Sequence, residues 1–250
     1  MIDLNHGSGY QPPTLAGTIN ALVDRALVAE RAAQPPRRYL GASSLGQACA
    51  RALQFDYTQT PRDPDREFPG RSLRIFAAGH RFEELSIQWL RAAGLDLRTN
   101  RRDGGQFGFS AANGRIQGHI DGVIVAAPPG IGLTLPALWE HKALNHKSWQ
   151  DTVKRGVAVS KPIYAGQIAI YQAYLELPAP ALFTALNKDT CELHHELVPF
   201  DPALAQQLSD RALTILKATE AQELLPRLTT NRDHPECRKC AWQDRCWRLS

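Results

Sequence analysis

Two segments in the middle of the chain carry side chains that could bind a divalent cation and activate water. Asp121 lies in the glycine-bracketed segment 118–122, and Glu140 and Lys142 follow about twenty residues later. In a β-strand Glu140 and Lys142 point to one face and His141 to the other. If the two segments form neighbouring strands, Asp121 lies close to Glu140 and Lys142. Two carboxylates can hold Mg²⁺ or Mn²⁺, which lowers the pKa of water and neutralises charge on a phosphate.

The same residues have a plainer interpretation, which is a salt bridge on the surface of two strands. The pattern Asp…Glu-x-Lys is short, and by itself it does not exclude this alternative. If the residues form a metal site, the lysine would orient the attacking water or help to deprotonate it, and the main-chain carbonyl of His141 would be a further ligand. The choice between a metal site and a salt bridge therefore depends on the motifs elsewhere in the sequence.

Four of the five cysteines form a second candidate site. Cys237, Cys240 and Cys246 lie together near the end of the sequence, and Cys49 lies far upstream. Such CxxC spacing in a chain that we expect in the cytoplasm is typical of metal binding rather than of disulfide bonds. The spacing alone is compatible with structural Zn²⁺ and with an iron–sulfur cluster, and His234 could replace Cys49 as the fourth ligand.

The periodicity of the apolar residues changes from helical to alternating and back along the chain. Helical spacing with Thr14 as a cap predicts a first helix, which the proline pair at 35–36 ends. Further predicted helices cover residues 44–57, 71–93, 148–155, 162–177 and 202–225, and predicted strands cover residues 106–110, 115–125, 135–143, 181–187 and 192–199. This order predicts an α/β fold with a small mixed β-sheet flanked by helices.

Length and charge narrow the classes of protein further. With 250 residues we expect a helical N-terminal segment (1–36), one main domain (37–230) and a C-terminal cysteine segment (231–250). The longest apolar stretches are far too short for a bilayer span and no signal peptide is visible, so we expect a cytoplasmic protein without a membrane partner. Residues 37–102 hold twelve arginines against seven acidic residues. Arginine suits phosphate contacts, although a solvated surface has the same composition.

The order of the motifs resembles that of the PD-(D/E)XK nuclease superfamily, and in particular its RecB-like exonuclease branch. The Asp121 strand and the following Glu-x-Lys strand match the motif itself, although Ile120 stands where the family proline would be. The pair Gly79-His80 on the long helix and a later helix with the pattern Gln-x-x-x-Tyr match in the same order. Residues 43–51 and the C-terminal cysteines resemble the split cysteine set of the iron–sulfur members, which include CRISPR-adaptation nucleases and phage or bacterial recombination nucleases.

This resemblance implies a restriction-endonuclease-like core whose N- and C-terminal segments are joined at a cysteine metal cluster. It implies metal binding by Asp121, Glu140 and His80, a water-orienting role for Lys142, and support from Gln167 and Tyr171. It also implies a 4Fe–4S cluster on Cys49, Cys237, Cys240 and Cys246, with Zn²⁺ as the alternative. Glu84 shares a helix face with His80 and could assist the metal or DNA, whereas Glu83 is a weaker candidate.

The resulting expectation is an Mg²⁺- or Mn²⁺-dependent exonuclease that acts on linear or single-stranded DNA in recombination, replication or repair, in a bacterium or a phage-infected cell. The arginines that precede His80 are candidate DNA contacts, namely Arg62, Arg66, Arg71 and Arg74. The chain has no GxxxxGK[ST] loop, so unwinding would need a helicase or recombination protein as partner, and a homo-oligomer is compatible with the core. The alternatives are a DNA-binding iron–sulfur module without catalysis and a structure-specific endonuclease.

Overall fold

The computed structural model describes residues 14–249. Helices in this range are α1 (Leu15–Ala33), α2 (Ala42–Leu45), α3 (Ala50–Tyr57), α4 (Gly70–Ala92), α5 (His146–Arg155), α6 (Val157–Ser160), α7 (Pro162–Tyr174), α8 (Pro202–Glu220), α9 (Pro235–Lys239) and α10 (Gln243–Arg248). Strands are β1 (Leu40–Gly41), β2 (Asp96–Arg98), β3 (Gly108–Ala111), β4 (Ile116–His119), β5 (Gly122–Ala126), β6 (Ala137–Leu144), β7 (Ala181–Asn187) and β8 (Leu193–Val198). No helix within the described range is long and apolar enough to cross a membrane.

The chain divides into two compact units. The smaller unit comprises residues 14–35 and 68–77, and the larger one comprises residues 36–67 and 78–249. The described part of the predicted C-terminal segment 231–250 belongs to the larger unit. The first thirteen residues of the predicted segment 1–36 lie outside the described range.

The strands of the larger unit form two sheets. A five-stranded sheet has the order β2-β5-β6-β7-β8, and a three-stranded sheet has the order β1-β4-β3. The pairs β6–β7 and β1–β4 are parallel, and the other pairs are antiparallel. Both sheets are therefore mixed, and the predicted α/β class with small mixed sheets and flanking helices is confirmed.

The predicted strand 115–125 is two strands in two different sheets, so its prediction as one strand was wrong. β4 pairs with β1 and β3, whereas β5 pairs with β2 and β6. The chain leaves one sheet and enters the other at Ile120, which is fully buried, and Asp121. A side chain at Gly122 would lie 2.7 Å from a methyl group of Leu97 on β2, so the start of β5 needs glycine to pair closely. The break places Asp121 at the junction of the two sheets.

The predicted helix 44–57 is likewise broken, into α2 and α3. A Cβ atom at Gly46 would lie 2.9 Å from the Cα atom of Ile163, so the chain turns here because α7 approaches its backbone closely. Ser44 lies inside α2, and its hydroxyl donates to the carbonyl of Gly41 at 2.8 Å. Residues 46–49 therefore form a short turn between α2 and α3.

Helix α7 lies at the centre of the core. It contacts α2, α6 and α8 as well as strands β3 and β6, and every residue from 165 to 172 is buried. This burial on all sides agrees with the absence of charged residues from the helix. Polar side chains on α7 are therefore enclosed and have to find partners inside the protein.

Candidate active site

Strand register brings Asp121 and Glu140 together. β5 and β6 are antiparallel and pair Gly122 with Trp139, so one further step along each strand places Asp121 opposite Glu140. The main-chain N–H of His141 donates to Asp121 Oδ2 at 2.8 Å. The convergence that the sequence predicts for these two segments is what the register produces.

Lys142 faces the same side as Glu140, as strand alternation requires. Its ammonium group donates a hydrogen bond to Glu140 Oε1 and lies 5.2 Å from the ring centroid of Tyr164. The Glu140 side chain has no exposed surface, and its second oxygen, Oε2, is buried without a hydrogen-bond partner among the described residues. An unpartnered buried carboxylate oxygen is costly, and a cation would satisfy it.

The electrostatics of the site are dominated by crowded carboxyl groups. Burial and then the neighbouring Asp121 raise the pKa of Glu140 to about 8, and the same two causes raise the pKa of Glu83 to about 7. Burial also raises the pKa of Asp121. Burial lowers the pKa of Lys142, but Glu140 and Asp121 more than offset this, so its net shift is upward. A bound cation would offset the mutual repulsion of these carboxyl groups and favour their charged forms.

Helix α4 supplies Glu83, which sequence analysis ranked below Glu84. The Glu83 side chain is 27% exposed and turns towards Asp121, whereas Glu84 is 55% exposed and pairs with Arg81 at 2.7 Å. His80 Nδ1 lies 3.8 Å from Glu83 Oε2. The spacing of three residues between His80 and Glu83 is the sequence signal that could have identified the inner carboxylate.

The predicted ligands do not form a complete side-chain set. His80 is 79% exposed. It is near enough to Asp121 to oppose slightly the rise in pKa that burial causes there. Within residues 14–249 no three His, Cys, Asp or Glu side chains are arranged so that they could hold a metal ion. The unpartnered Glu140 oxygen and the carboxyl crowding still fit a cation. The predicted set with His80 stays a prediction.

Gln167 and Tyr171 lie one turn apart on the buried helix α7. Gln167 Nε2 donates to the Tyr171 hydroxyl at 3.1 Å, and burial followed by Glu140 raises the pKa of this tyrosine. A Cβ atom at Gly118 would lie 2.5 Å from the Tyr171 ring, so the glycine makes room for it. Tyr171 is therefore close to Glu140, and Gln167 is bonded to its hydroxyl, while their supporting role stays a prediction.

His141 connects the centre to helix α4 on the opposite face of β6. Its main-chain N–H holds Asp121, while its ring nitrogen Nε2 lies 3.0 Å from the Ser86 hydroxyl. Burial lowers the pKa of His141 to about 3, so the ring is neutral. Ser86 lies one turn after Glu83, so this contact fixes the helix that carries the third carboxyl group. The predicted metal contact through the His141 carbonyl stays a prediction.

Two of the four predicted DNA-binding arginines contact the C-terminal segment. Arg66 donates to the Gln243 side chain at 3.2 Å, and the Arg62 guanidinium lies 5.5 Å from the centre of the Trp242 ring. These two arginines therefore contribute to contacts within the protein.

The other two arginines belong to the smaller unit. Arg74 forms an ion pair with Asp24 of α1, and Arg71 is exposed. Three of the four predicted DNA contacts are thus engaged within the protein, because a charge run does not specify its partners.

The four predicted cysteine ligands are neighbours. Cys49 precedes α3, and the other three lie in or beside α9 and α10. Burial, followed by Cys49 and Cys246, raises the pKa of the Cys237 thiol. Burial also raises the pKa of the Cys240 thiol, and the other three thiols contribute to the rise. These thiols do not form a metal-ligand set among the described residues, but four neighbouring thiols are suitable donors for zinc or an iron–sulfur cluster.

Contacts that need no metal hold the C-terminal segment in place. The buried carboxylate of Asp63 accepts hydrogen bonds from the main-chain N–H groups of Asp244 and Arg245, at 2.6 and 3.0 Å. The Trp242 indole donates to the carbonyl of Thr60 at 2.8 Å. The segment is therefore docked on the loop after α3 by ordinary hydrogen bonds and packing.

No family model and no curated protein matches the sequence. Among solved structures, the chain is similar to an alkaline exonuclease (LHK-Exo) from Laribacter hongkongensis, with a TM-score of 0.53 and 14% identity over 79% of this chain and 93% of that one. The same exonuclease in complex with dAMP gives a TM-score of 0.52 and 15% identity over 74% and 89% of the two chains. The protein SSO0001 gives 0.50 and 13% identity over 93% and 98%. At these identities the likeness shows the fold alone.

Proposed function

We propose that this chain is a metal-dependent nuclease of the PD-(D/E)XK type and RecB-like branch that hydrolyses phosphodiester bonds of DNA. The observation that carries the proposal is the buried carboxylate of Glu140, which meets Asp121 and Lys142 at the strand break and keeps one oxygen unpartnered among the described residues. A surface salt bridge, the plainer interpretation of the motif, does not account for a fully buried glutamate with an oxygen that no residue from 14 to 249 contacts by a hydrogen bond.

The site residues can divide the chemistry between them. Mg²⁺ or Mn²⁺ held by Asp121 and Glu140 would activate water and offset the charge that develops on the phosphate. Because its neighbours keep the pKa of Lys142 raised, this lysine would orient water and the phosphate as a charged donor. The Tyr171 hydroxyl, held by Gln167, would support the floor of the site.

Exonuclease action is the finer part of the proposal. The similarity of the fold to an enzyme named as an alkaline exonuclease supports it, as do the motifs of the sequence. We propose linear or single-stranded DNA as substrate, in recombination, replication or repair in the cytoplasm of a bacterium or a phage-infected cell. A helicase or recombination protein as partner and a homo-oligomer are consistent with this role.

For the cysteine centre we propose a 4Fe–4S cluster on Cys49, Cys237, Cys240 and Cys246, with Zn²⁺ as the alternative. The proximity of the four thiols supports a single metal centre. Anaerobic purification followed by iron, sulfide and zinc analysis separates the two metals. Equal metal content in wild type and in Cys237→Ser would argue against both.

Cleavage of end-labelled linear and circular single strands tests the proposed activity. Anaerobically purified protein with Mg²⁺ or Mn²⁺ should degrade only the linear strand, and Asp121→Ala should abolish degradation. Cutting of circles by the wild type would assign an endonuclease instead. DNA binding without cleavage in both proteins would leave the non-catalytic DNA-binding module.

A further inference from the structure

The loop between β2 and β3 lies beside the strand break that carries Asp121. β2 pairs with β5 and β3 pairs with β4, so this loop crosses from one sheet to the other where the chain between β4 and β5 does the same. The Ile120 N–H donates to the carbonyl of Phe107 at 3.0 Å, and Gln106 Nε2 donates to the carbonyl of Ile120 at 3.2 Å. The loop is therefore anchored to the residue next to Asp121.

The tip of this loop is a hairpin fixed by its own hydrogen bonds. Asn100 and Gln106 form an antiparallel bridge at its base, and the Arg101 N–H donates to the carbonyl of Gly105 at 2.7 Å. Asn100 Nδ2 donates to the carbonyl of Gly104 at 3.0 Å. Gly104 has a φ of +84°, a conformation that favours glycine. The tip therefore has a defined shape before any ligand binds.

This hairpin presents two arginines to solvent. The Arg101 side chain is 54% exposed, and its Nε lies 3.4 Å from Asp103 Oδ1. The same Asp103 oxygen accepts the Gly105 N–H at 2.9 Å, so this carboxylate is largely committed to the turn. Arg102 is exposed, and its side chain forms no hydrogen bond or ion pair with residues 14–249. The tip therefore carries one guanidinium whose ion pair lies within the turn itself and a second, that of Arg102, without a partner among residues 14–249.

The acidic centre creates a need for such a surface. Glu83, Asp121 and Glu140 would repel a phosphodiester strand, and Lys142 is already paired with one of them. Three of the four arginines predicted to guide DNA are engaged within the protein. Guanidinium groups suit phosphate oxygens because their planar donors match them in pairs.

We propose that residues 99–106, the arginine hairpin, bind the phosphodiester backbone of the DNA strand next to the active site through Arg101 and Arg102. This inference rests on the proposed nuclease function and names the substrate contact that the function needs. The contact is with phosphates and not with bases, so it holds the strand in place without selecting a sequence.

The salt dependence of DNA binding tests the proposal. Full-length protein in EDTA, which prevents cleavage, is titrated onto a fluorescein-labelled single strand over a series of KCl concentrations. The double variant R101A/R102A should bind roughly tenfold more weakly, and its slope of log Kd against log salt should fall by about 1.4, or about 0.7 for each lost phosphate contact. The exposed Arg238→Ala on α9 is the matched control and should keep the wild-type slope.

Charge-preserving variants and a parallel cleavage assay complete the test. R101K/R102K should restore most of the slope, and thermal unfolding of both double variants should match the wild type because the side chains are exposed. A wild-type slope in R101A/R102A would overturn the hairpin proposal. If the wild type cleaves a linear strand with Mn²⁺ in that case, the proposed function stands. If it neither binds nor cleaves DNA, both fail.

Discussion

The acidic centre and the cysteine centre are assembled in different ways. Asp121 and Glu140 are placed by the register of β5 and β6, and Lys142 by alternation along one strand. The cysteines come instead from the connection before α3 and from the two short helices near the end of the described chain. One centre is therefore built on two paired strands, and the other on a connection and two short helices.

This contrast extends to what each centre lacks without a metal. The acidic centre holds an oxygen of Glu140 that has no partner among residues 14–249, and its carboxyl groups are crowded. The cysteine segment is already docked by Asp63 and Trp242. We therefore expect a metal at the acidic centre to relieve an electrostatic cost, and a metal at the cysteines to add to contacts that already exist.

The largest expected effect is the loss of cleavage on changing the acidic centre. Asp121→Asn should lower the rate of single-strand hydrolysis by about 10³-fold, because it removes a carboxylate that opposes Glu140 across two strands. The matched control is Asp96→Asn, an exposed carboxylate on β2 of the same sheet. Rates that fall equally in both variants would contradict a special role for the strand break.

The next largest expected effect is a loss of stability when the contacts of the C-terminal cysteine segment are removed. Trp242→Ala should destabilise the metal-free protein by about 3 kcal/mol, because the indole is 7% exposed and packs on Phe55. Cys237→Ser in the same metal-free state should change the free energy of unfolding by less than about 1 kcal/mol. Urea denaturation measures both, and the reverse order would mean that the thiols hold the segment.

Stability of the metal-free acidic centre should depend on pH. The pKa of Glu140 is raised from 4.5 to about 8 in the folded protein, so the folded state keeps a proton that the unfolded chain has lost. Stability should therefore fall as pH rises through this window, by on the order of 2 kcal/mol relative to Glu140→Gln. Urea midpoints from pH 5 to about pH 8 measure the difference, and parallel pH profiles for the two proteins would refute the shift.

The smallest of these effects separates the two neighbouring carboxylates of α4. Glu83→Gln should slow cleavage about tenfold, since Glu83 turns towards Asp121, and Glu84→Gln should leave the rate within about twofold. Steady-state rates at saturating Mn²⁺ measure the pair. A larger loss of cleavage rate in Glu84→Gln than in Glu83→Gln would mean that Glu84, and not Glu83, belongs to the site.

The predictable part of the site is the part that strand geometry determines. Alternation and a short strand pair were enough to bring Asp121, Glu140 and Lys142 together. The break at Ile120 was not predictable, because its burial between two sheets depends on distant partners. Neighbouring helical residues differ by about 100° in direction, so an error of one residue in the orientation of α4 exchanged Glu83 for Glu84.

The same limit applies to the fold. The predicted helices 71–93 and 162–177 correspond to α4 and α7, because both patterns are too long for a strand. The predicted helix 44–57 broke because Gly46 meets the backbone of Ile163, which is a tertiary contact. Arg66 is a similar case, since a charged side chain near His80 gave no sign that its partner lies on α10.

Direct measurement of Mn²⁺ binding tests the central claim, that the residues at the strand break hold a catalytic cation. Electron paramagnetic resonance of free Mn²⁺ in a titration reports binding without any DNA. The wild type and Glu84→Gln should bind Mn²⁺ with the same affinity, and Asp121→Asn and Glu140→Gln should bind it at least about tenfold more weakly. Equal binding by all four proteins would contradict the account, because the cation would then lie elsewhere.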